Sequence, residues 1–304
     1  MTRIAYLGPA GTFTEQALWE FGIEGADPVA VESPAAALNA VRRGEAEFAV
    51  AAIESSVDGS VTSTSDALIE APGVQIYGET ELDIAFAIMT RPGMALADAT
   101  TIATHPVAHQ QVKQWLAANA PQVAFIPAAS NGAGAKMVAD GEADAAAAPL
   151  RAAELFGLEV HAEGVADLET ARTRFLLIGP PGAPPERTGA DRTSIAFETP
   201  NEPGTLVAVL LEFAYRGVDL SRIESRPTRK QRNTYTFHVD LVGHIDDVPV
   251  AEALRSVYLR ASAITYLGSW PRAHRGGGVE GKGETSDSRI QEAQRWVQSL
   301  REGK

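Results

Sequence analysis

The sequence contains no cysteine among its 304 residues. Disulfide bonds, zinc–thiolate sites and a thiol nucleophile are therefore excluded. It also lacks a long apolar run. Its first residues, MTRIAYLGPAGTF, resemble neither a signal peptide nor a membrane anchor. We therefore expect a cytoplasmic protein that does not bind a membrane.

Basic residues are scarce in the first part of the chain. Residues 1–180 carry 9 Lys and Arg against 23 Asp and Glu, a balance of −14, whereas residues 181–304 carry 17 against 16. An acidic surface argues against nucleic acid as a partner, because phosphates require a basic face. An anionic substrate would have to be held by local dipoles and a few placed cations.

Short apolar runs alternate with helical patterns along residues 1–180. The predicted strands are Arg3–Leu7, Val29–Val31, Phe48–Ile53, Leu82–Thr90, Thr101–Thr104, Val123–Ile126, Ala145–Ala148 and Thr173–Ile178. The predicted helices are Thr14–Phe21, Pro34–Arg43, Ser65–Glu70, Pro106–Ala118, Ala133–Asp140 and Arg151–Phe156. This alternation predicts an α/β fold with mostly parallel sheets covered on both faces.

A second domain follows a stretch rich in Pro and Gly at residues 179–192, which we interpret as a linker. Beyond the linker the pattern runs strand, helix, strand, strand, helix, strand over residues 193–268, the βαββαβ order of a ferredoxin-like unit. A Gly-rich stretch at 275–288 and an apolar stripe over Ile290–Leu300 predict a second linker and a C-terminal helix.

Two loops that follow strands could bind a ligand. The segment GPAGTFTE at 8–15 is a strand–turn–helix junction, where free N–H groups can bind an anion, although an ordinary tight turn has the same pattern. The segment ESSVDGSVTST at 54–64 supplies six hydroxyl groups in eleven residues. It is either a solvated loop or a polar wall of a binding site.

Two further segments lie where a strand begins or ends. Thr104-His105-Pro106 joins a strand to a helix, and His105 is either a general base or a structural residue at the helix start. The segment ARTRF at 171–175 opens the last strand of the first domain, and its two arginines bind either a substrate or nearby acids. In open α/β sheets, ligands bind at the carboxyl ends of strands, where three of these segments fall.

These segments resemble a known family. GPAGTFTEQA, IESSVDGSV, THPVAHQQ and ARTRF are similar, in order and spacing, to four signatures of prephenate dehydratases, and NEPGTL and ESRP are similar to the phenylalanine-binding signatures of their ACT domain. The resemblance covers residues 4–272. It implies a catalytic domain over residues 1–180 with two lobes, as in periplasmic binding proteins. One lobe would comprise about 1–80 plus 172–180 and the other about 81–171. An ACT domain would span 190–272, with the linker and C-terminal helix at 273–304.

The resemblance also implies an activity and a set of site residues. The enzyme would be a lyase that converts prephenate to phenylpyruvate with loss of CO2 and water, without a cofactor or metal. Thr173 would be the proton donor, and catalytic roles would fall on Thr173, Arg174, Phe175, Glu54 and Ser56. Substrate binding would fall on Gly8, Pro9, Gly11, Thr12, Phe13, Ser55, Thr104, His105 and Gln111.

Three positions depart from the family pattern. Ser55 replaces an asparagine, Ala171 replaces another asparagine two residues before Thr173, and Val107 replaces a glutamine. The amide groups of the family pattern are therefore absent here, and we expect nearby hydroxyl groups to replace them.

Strand geometry constrains the two arginines independently of the family. Side chains alternate across a strand, so Thr173 and Phe175 share one face if residues 173–175 are extended, and Arg174 lies on the other. Arg174 could then not contact the substrate atom that Thr173 protonates. Either the strand begins after Thr173, or the arginines serve a carboxylate or an ion pair elsewhere. We favour Arg174 as a buried partner of Glu54 or another acid.

The resemblance implies that L-phenylalanine binds the second domain and regulates catalysis. The residues implied are Asn201, Glu202, Pro203, Gly204, Thr205, Leu206, Glu224, Ser225, Arg226 and Pro227. A chain cut at residue 185 is expected to be active and insensitive to phenylalanine. Because ACT domains commonly dimerise side by side, the resemblance also implies a homodimer or homotetramer.

Two other functions are consistent with these patterns. One is an arogenate dehydratase of the same fold, whose substrate differs from prephenate by one substituent. The other is a non-catalytic small-molecule-binding protein with the same two lobes. A fused chorismate mutase is not expected, because no helical domain precedes Arg3 and the tail after 272 is short.

Overall fold

The computed structural model describes residues 1–167, 171–228 and 234–273, so the predicted helix at 290–300 lies outside the described residues. The strands are, in chain order, β1 (Thr2–Leu7), β2 (Ala26–Val31), β3 (Phe48–Ser55), β4 (Gly59–Ser60), β5 (Gln75–Asp83), β6 (Phe86–Thr90), β7 (Thr101–Thr104), β8 (Ala124–Pro127), β9 (Ala145–Ala148), β10 (Glu159–Val165), β11 (Arg172–Gly179), β12 (Asp191–Glu198), β13 (Leu220–Pro227), β14 (Tyr235–Val242) and β15 (Ala263–Pro271). The helices are α1 (Phe13–Glu20), α2 (Pro34–Arg42), α3 (Thr62–Glu70), α4 (Pro106–Asn119), α5 (Asn131–Ala139), α6 (Leu150–Phe156), α7 (Thr205–Ala214) and α8 (Val248–Arg260).

Several helices begin at polar caps that the sequence supplies. Ser33 and Ser130 each accept a hydrogen bond from an N–H in the first turn of the helix that follows, α2 and α5. Proline occupies the first turn of α2, α4 and α8, where no intrahelical N–H bond is lost. Among the described residues, no helix is both long and apolar enough to cross a membrane.

Two sheets form the first part of the molecule. Lobe one is the sheet ordered β2-β1-β3-β11-β5, with β4 paired to β3 and helices α1 to α3 beside it. Lobe two is the sheet ordered β10-β6-β9-β7-β8, with helices α4 to α6. The α/β fold class and its two lobes are confirmed.

The prediction of mostly parallel sheets was wrong, because both sheets are mixed. In lobe one β11 runs antiparallel to β3 and β5, and in lobe two β6 runs antiparallel to β9 and β10. Strand β11 enters lobe one from the other lobe instead of through a βαβ crossover, so the rule that makes such crossovers parallel does not apply to it.

The prediction of one strand over Leu82–Thr90 was also wrong. Strand β5 ends at Asp83 and β6 begins at Phe86, where the chain passes from lobe one to lobe two. At this crossing the Ile84 N–H donates to the Ala171 carbonyl (2.7 Å), so the outgoing and returning segments are paired. Ile84, Phe86 and Ile88 are all buried, so the sequence stays apolar through the crossing. For this reason the end of β5 cannot be recognised from the hydrophobic pattern. Strand β10 was missed as well.

The third sheet has the antiparallel order β13-β14-β12-β15, which gives the predicted βαββαβ unit. Helices α7 and α8 cover one face, with Phe197, Phe213 and Val239 in the core between them. The opposite face packs on lobe one, where Ala196, Leu267 and Trp270 join the same apolar cluster as Ile76 and Ile178.

Gly268 marks the closest approach of this third sheet to lobe one. Its φ is +137°, and an added Cβ would lie 2.3 Å from the Ile76 carbonyl oxygen. A side chain here would force β15 away from β5. The backbones of the two domains therefore pack directly against each other.

Candidate active site

A cavity of about 200 Å³ lies where the two lobes meet. Strand β11 brings Thr173 and Phe175 to it, β3 brings Ser55, and α4 brings His105 and Gln111. The remaining lining residues are Phe13, Thr14, Ala52, Val57, Asp58, Val61, Ile84, Phe86, Val107, Ala108, Asn131, Ala171 and Arg172. Hydroxyl, amide and imidazole groups thus face apolar and aromatic walls.

Thr173 and Ser55 are register partners on β11 and β3, which places both at one edge of the sheet. The hydroxyl of Ser55 accepts from the N–H groups of Val57 and Asp58 (3.2 Å each) and shapes the turn after β3. Next to it, the Ser56 N–H donates to the Arg172 carbonyl and the Arg172 N–H donates to Ser56 Oγ (2.8 Å each). Ser56 therefore fastens the hydroxyl-rich loop to the start of β11.

Gln111 is buried against the cavity, and its Oε1 has no hydrogen-bond partner among the described residues. The helix around it bonds to Asp167. The Asp167 N–H donates to the Gln111 carbonyl (2.6 Å), and its carboxylate accepts from the N–H groups of Gln114 (2.7 Å) and Trp115 (3.2 Å). A buried acceptor without a partner is costly, so a ligand donor in the cavity would relieve that cost.

His105 lies at the cavity and caps α4. Its Nδ1 accepts from the Val107 N–H (3.3 Å), which assigns this nitrogen as the unprotonated one. The neighbouring Thr104 is fully buried and donates to the Ala147 carbonyl (2.6 Å), outside the cavity lining. The predicted pair is thus split into one cavity residue and one packing residue.

In the loop at residues 8–13, two N–H groups are already bonded within the protein. The Gly11 N–H donates to Glu15 Oε2 (2.6 Å), and the Gly8 N–H donates to the Val31 carbonyl (2.9 Å). Gly8 and Pro9 line a separate cavity beside β2, and among the predicted residues of this loop only Phe13 reaches the cleft. The Glu15 carboxylate thus lies at the start of α1, and anion binding by this loop stays a prediction.

The position of the Glu15 side chain at the start of α1 is predictable from the sequence. Thr12 accepts from the Glu15 N–H (3.3 Å) while the Glu15 side chain reaches back to the turn. The spacing Thr-x-x-Glu at 12–15 is that of a capping box, in which the helix satisfies its own first N–H groups.

Arg174 points away from the cavity, as the alternation of side chains on β11 predicts. Its guanidinium binds Glu54 Oε2 (2.9 Å), Glu79 Oε2 (3.1 Å) and Asp240 Oδ2 (2.9 Å). Neither Arg174 nor Glu54 lines the cavity, and their catalytic roles stay predictions. Strand β11 nevertheless begins at Arg172, so the alternative in which it starts after Thr173 was wrong.

Among the described residues that line the cavity, Arg172 carries the one guanidinium. Its Nε contacts Asp83 Oδ1 at 2.8 Å in a pair with both partners substantially exposed. Such exposed pairs contribute little free energy, so Arg172 can exchange Asp83 for a ligand carboxylate.

Asn131 is a cavity residue that sequence reasoning missed. It begins α5 after the Ser130 cap, and its Oδ1 accepts from the His105 N–H (3.3 Å). The sequence pattern that could have identified it is Ser-Asn at a helix start directly after a strand. His105 was identified from the same strand-to-helix arrangement.

A second cavity, of about 230 Å³, lies at the start of α7 in the third sheet's domain. Its lining brings together five of the ten predicted phenylalanine-binding residues, and it also contains Tyr235 and Phe237. The five are Asn201, Glu202, Gly204, Thr205 and Leu206. Gly204 adopts φ +87° before the helix, and no side chain caps the first turn of α7.

The other predicted residues of this site lie elsewhere. Glu224 and Arg226 point to lobe one, where Glu224 binds Ser65 (3.1 Å) and Arg226 forms two bonds with Asp66 (2.9 and 2.8 Å). Pro227 lines another cavity, together with Asp66. Ser225 pairs with Phe237 in the sheet, beside the α7 cavity, and Pro203 is exposed. The ESRP segment thus joins the two domains.

The two-lobed α/β domain with a polar cavity between its lobes, followed by a βαββαβ unit, defines a small-molecule enzyme domain joined to an ACT-type domain. The sequence model of prephenate dehydratase matches residues 4–183, and that of the ACT domain matches residues 193–257. The chain belongs to the prephenate dehydratase family.

Individual relatives and solved structures are similar to most or all of this chain. A prephenate dehydratase of Corynebacterium glutamicum is 54% identical over 311 residues, covering 100% of this chain and 98% of the relative. The crystal structure of prephenate dehydratase from Arthrobacter aurescens in complex with L-Phe is 40% identical, with a TM-score of 0.85, over 99% of this chain and 100% of that one. GqqA, described as a novel type of quorum quenching acylase, is 30% identical, with a TM-score of 0.81, over 89% of this chain and 98% of its own.

Proposed function

We propose that this protein converts prephenate to phenylpyruvate, CO2 and water, and that L-phenylalanine regulates the reaction through the ACT domain. The observation that carries the proposal is the placement of the Thr173 hydroxyl at the cavity between the lobes, beside Ser55, Gln111 and aromatic side chains. Family membership over residues 4–183 supports the same activity.

The reaction needs one proton and no redox change. The bond from the ring carbon to its carboxylate breaks, the electron pair moves into the ring, and the hydroxyl group on the opposite ring carbon leaves. Thr173 donates a proton to the leaving oxygen and recovers one from solvent. The prephenate dianion and this proton together yield phenylpyruvate, CO2 and water. Aromatisation supplies the driving force, so the protein mainly orients the substrate and assists departure of the hydroxyl.

The cavity suits a dianion with a hydrophobic ring. Phe13, Phe86 and Phe175 form apolar walls for the ring, and Phe13 meets Phe86 edge-on with centroids 5.5 Å apart. Arg172 is placed to bind one carboxylate once it leaves Asp83. The net charge of this domain is negative and cannot attract an anionic substrate. A local cation such as Arg172 must therefore bind it.

The departures from the family pattern converge on this cavity. Ala171 and Val107, which replace amide side chains, both line it and offer no hydrogen bond. Gln111 and Asn131 are the amides that remain among the described lining residues. We propose that these two groups, with Ser55, provide the polar contacts that the missing amides would supply.

L-Phenylalanine is proposed to occupy the cavity at the start of α7. The uncapped N–H groups of α7 suit its carboxylate, and Tyr235 and Phe237 suit its ring. The relative from Arthrobacter aurescens was crystallised with this amino acid.

We also propose that the protein forms a homodimer or homotetramer through its ACT domain. Helix α7 exposes Val207, Leu211 and Tyr215 at a spacing of four, which makes one apolar stripe. The neighbouring edge strand β13 exposes Ile223, and an unpaired edge is suited to association.

Side-by-side kinetics on prephenate and arogenate test the activity. Turnover of prephenate, followed by the absorbance of phenylpyruvate, is the expected result, with a lower kcat/KM for arogenate. A higher kcat/KM for arogenate would reassign the substrate. No turnover of either compound by folded protein would overturn the proposed function and favour a binding protein.

A further inference from the structure

Directly behind Thr173, a cluster of buried charges joins the catalytic domain to the ACT domain. Arg174 of β11 binds Asp240 of β14 at 2.9 Å and Glu79 of β5 at 3.1 Å. The side chains of these three residues are only 5%, 4% and 1% exposed. The contact therefore lies in the interior, between domains, and is only weakly screened by salt.

The ACT domain contributes more than one group to this cluster. Arg192 of β12 reaches Glu79 (3.3 Å) and Asp240 (3.7 Å), and the Trp270 Nε1–H of β15 donates to Glu79 (3.1 Å). Each domain thus presents a buried cation to a buried carboxylate of the other. A displacement of one domain against the other would separate opposite charges in a medium of low dielectric constant.

Asp240 is ionised in this setting. Burial alone would raise the pKa of its carboxyl, but the guanidinium groups of Arg174, Arg222 and Arg192 hold the pKa below its ordinary value. Asp240 also accepts from the Ser194 hydroxyl (2.8 Å), which fixes its orientation within the ACT sheet.

Arg174 links Asp240 to the strand whose Thr173 and Phe175 line the cavity. Its neighbour Thr173 pairs with Ser55 in the sheet, and Arg174 itself pairs with Glu54. The register between β11 and β3 shifts immediately after Arg174, whereas on its other side β11 pairs regularly with β5 from Arg172 to Leu177. The Arg174 side chain, bound to Glu54 (2.9 Å), clamps both strands at that point.

We propose that Asp240, in the ACT domain, is a positioning residue for the dehydration: through Arg174 it holds the strand end that carries Thr173 and the adjoining Ser55. The inference rests on the proposed function, in which Thr173 is the proton donor. It makes the ACT domain part of the framework of the active site as well as a sensor. A ligand that shifts β14 would then change the geometry at Thr173 without contacting it.

Asp240→Asn in the full chain tests this inference. The amide keeps the size of the side chain but removes the charge that holds Arg174. We expect kcat for prephenate to fall roughly ten- to hundredfold, because small misplacements of a reacting group have effects of this size. KM should stay within about threefold, because the cavity walls are unchanged.

Asp191→Asn is the matched control. Asp191 is equally buried in the ACT domain, but among the described residues its carboxylate binds only the local turn, through Thr188 and Gly189. Its replacement should lower the melting temperature yet leave kcat near that of the wild type. Equal losses of kcat in both variants, or a wild-type kcat in folded Asp240→Asn, would overturn the inference.

A double-mutant cycle with Thr173→Ala separates positioning from general damage. If Asp240 acts through Thr173, Asp240→Asn should cause little further loss of kcat in the Thr173→Ala background. Independent losses that multiply would overturn the inference. The wild-type enzyme is assayed first. If it does not turn over prephenate, the proposed function is wrong. If it turns over prephenate normally and Asp240→Asn has no effect, only this inference is wrong.

Discussion

At the scale of single residues, the position of Thr173 decides what the site can do. Its side chain shares a face with Phe175 and lies opposite Arg174, so the hydroxyl and the guanidinium serve different parts of the molecule. The triplet that looks like one catalytic unit in the sequence is therefore divided between the cavity and the domain contact.

Thr173→Ala should lower kcat by about two to four orders of magnitude, with KM for prephenate changed only a few fold. A proton donor acts mainly in the transition state, so its loss affects turnover more than binding. Thr173→Ser, which keeps the hydroxyl, should retain more activity than the alanine variant. Steady-state kinetics of both variants checks this.

Thr80→Ala is the control for that series. Thr80 lies on β5, beside β11, but does not line the cavity. It should keep nearly full activity. If Thr173→Ala were as active as Thr80→Ala, Thr173 would not be the proton donor.

His238 should make the protein sensitive to acid. It is 1% exposed, and its Nε2 has no hydrogen-bond partner among the described residues. Burial, reinforced by Arg222, lowers its pKa to about 4, against the opposing effects of Glu224, Asp240 and Asp66. Between pH 6.5 and about 4 the unfolded chain therefore binds a proton that the folded chain does not, so the free energy of unfolding falls as pH falls.

Replacing His238 by Gln should remove up to about 3 kcal/mol of this decline across the window. Denaturant titrations at several pH values between 7.5 and 4 would measure it, with exposed His161→Gln as the control. An unchanged slope of stability against pH in His238→Gln would contradict the assignment.

At the scale of elements, the start of α7 is the clearest test of the effector site. Gly204 adopts φ +87° at this start, and no other atom lies within 4 Å of an added Cβ. Gly204→Val would strain the turn and place a branched side chain at the mouth of the cavity. We expect calorimetry to show L-phenylalanine binding weakened at least tenfold, and inhibition lost with it.

Gly217→Val is the matched control, since Gly217 has φ +67° beyond the other end of α7, also with open space around it. It should have a comparable cost in stability and leave phenylalanine binding intact. Unchanged binding in Gly204→Val would remove the ligand from this cavity.

At the scale of the whole molecule, the structure revises the expectation for a chain cut at residue 185. The cut removes Asp240, Arg192 and Trp270 from Arg174 and Glu79, which leaves buried charges without their partners. Removing one member of a buried pair typically costs about 3–5 kcal/mol. We therefore expect residues 1–185 to be unstable and to have a low kcat, in contrast to the active, insensitive fragment that the motifs suggest.

A chain ending at Ala273 is the control, because it retains every contact between the domains described above. The melting temperature and kcat of both truncated chains, measured beside those of the full chain, test this prediction. Full activity of the 1–185 chain would show that the ACT domain is dispensable for positioning.

Much of the architecture was predictable because it is written in local patterns. Proline at a helix start, the strand–helix alternation and the βαββαβ order each depend on a few neighbouring residues. The cavity was predictable in part: Thr173, Phe175, Ser55, His105, Gln111 and Phe13 meet as the motifs indicate. Other predicted residues bind partners elsewhere in the protein: Gly11 bonds Glu15, Glu224 bonds Ser65 and Arg226 bonds Asp66.

The sequence by itself determined the family, the class of fold and the strand that carries the proposed proton donor, because ordered motifs and periodicity do not depend on distant contacts. Only the tertiary structure decided the direction of β6 and β11 in their sheets, the partners of Arg174 and the use of the ESRP segment as a domain contact. Asp240 lies 66 residues from Arg174 along the chain. Nothing local pairs them: the pairing arises because packing two domains against each other brings the two buried charges within hydrogen-bond distance.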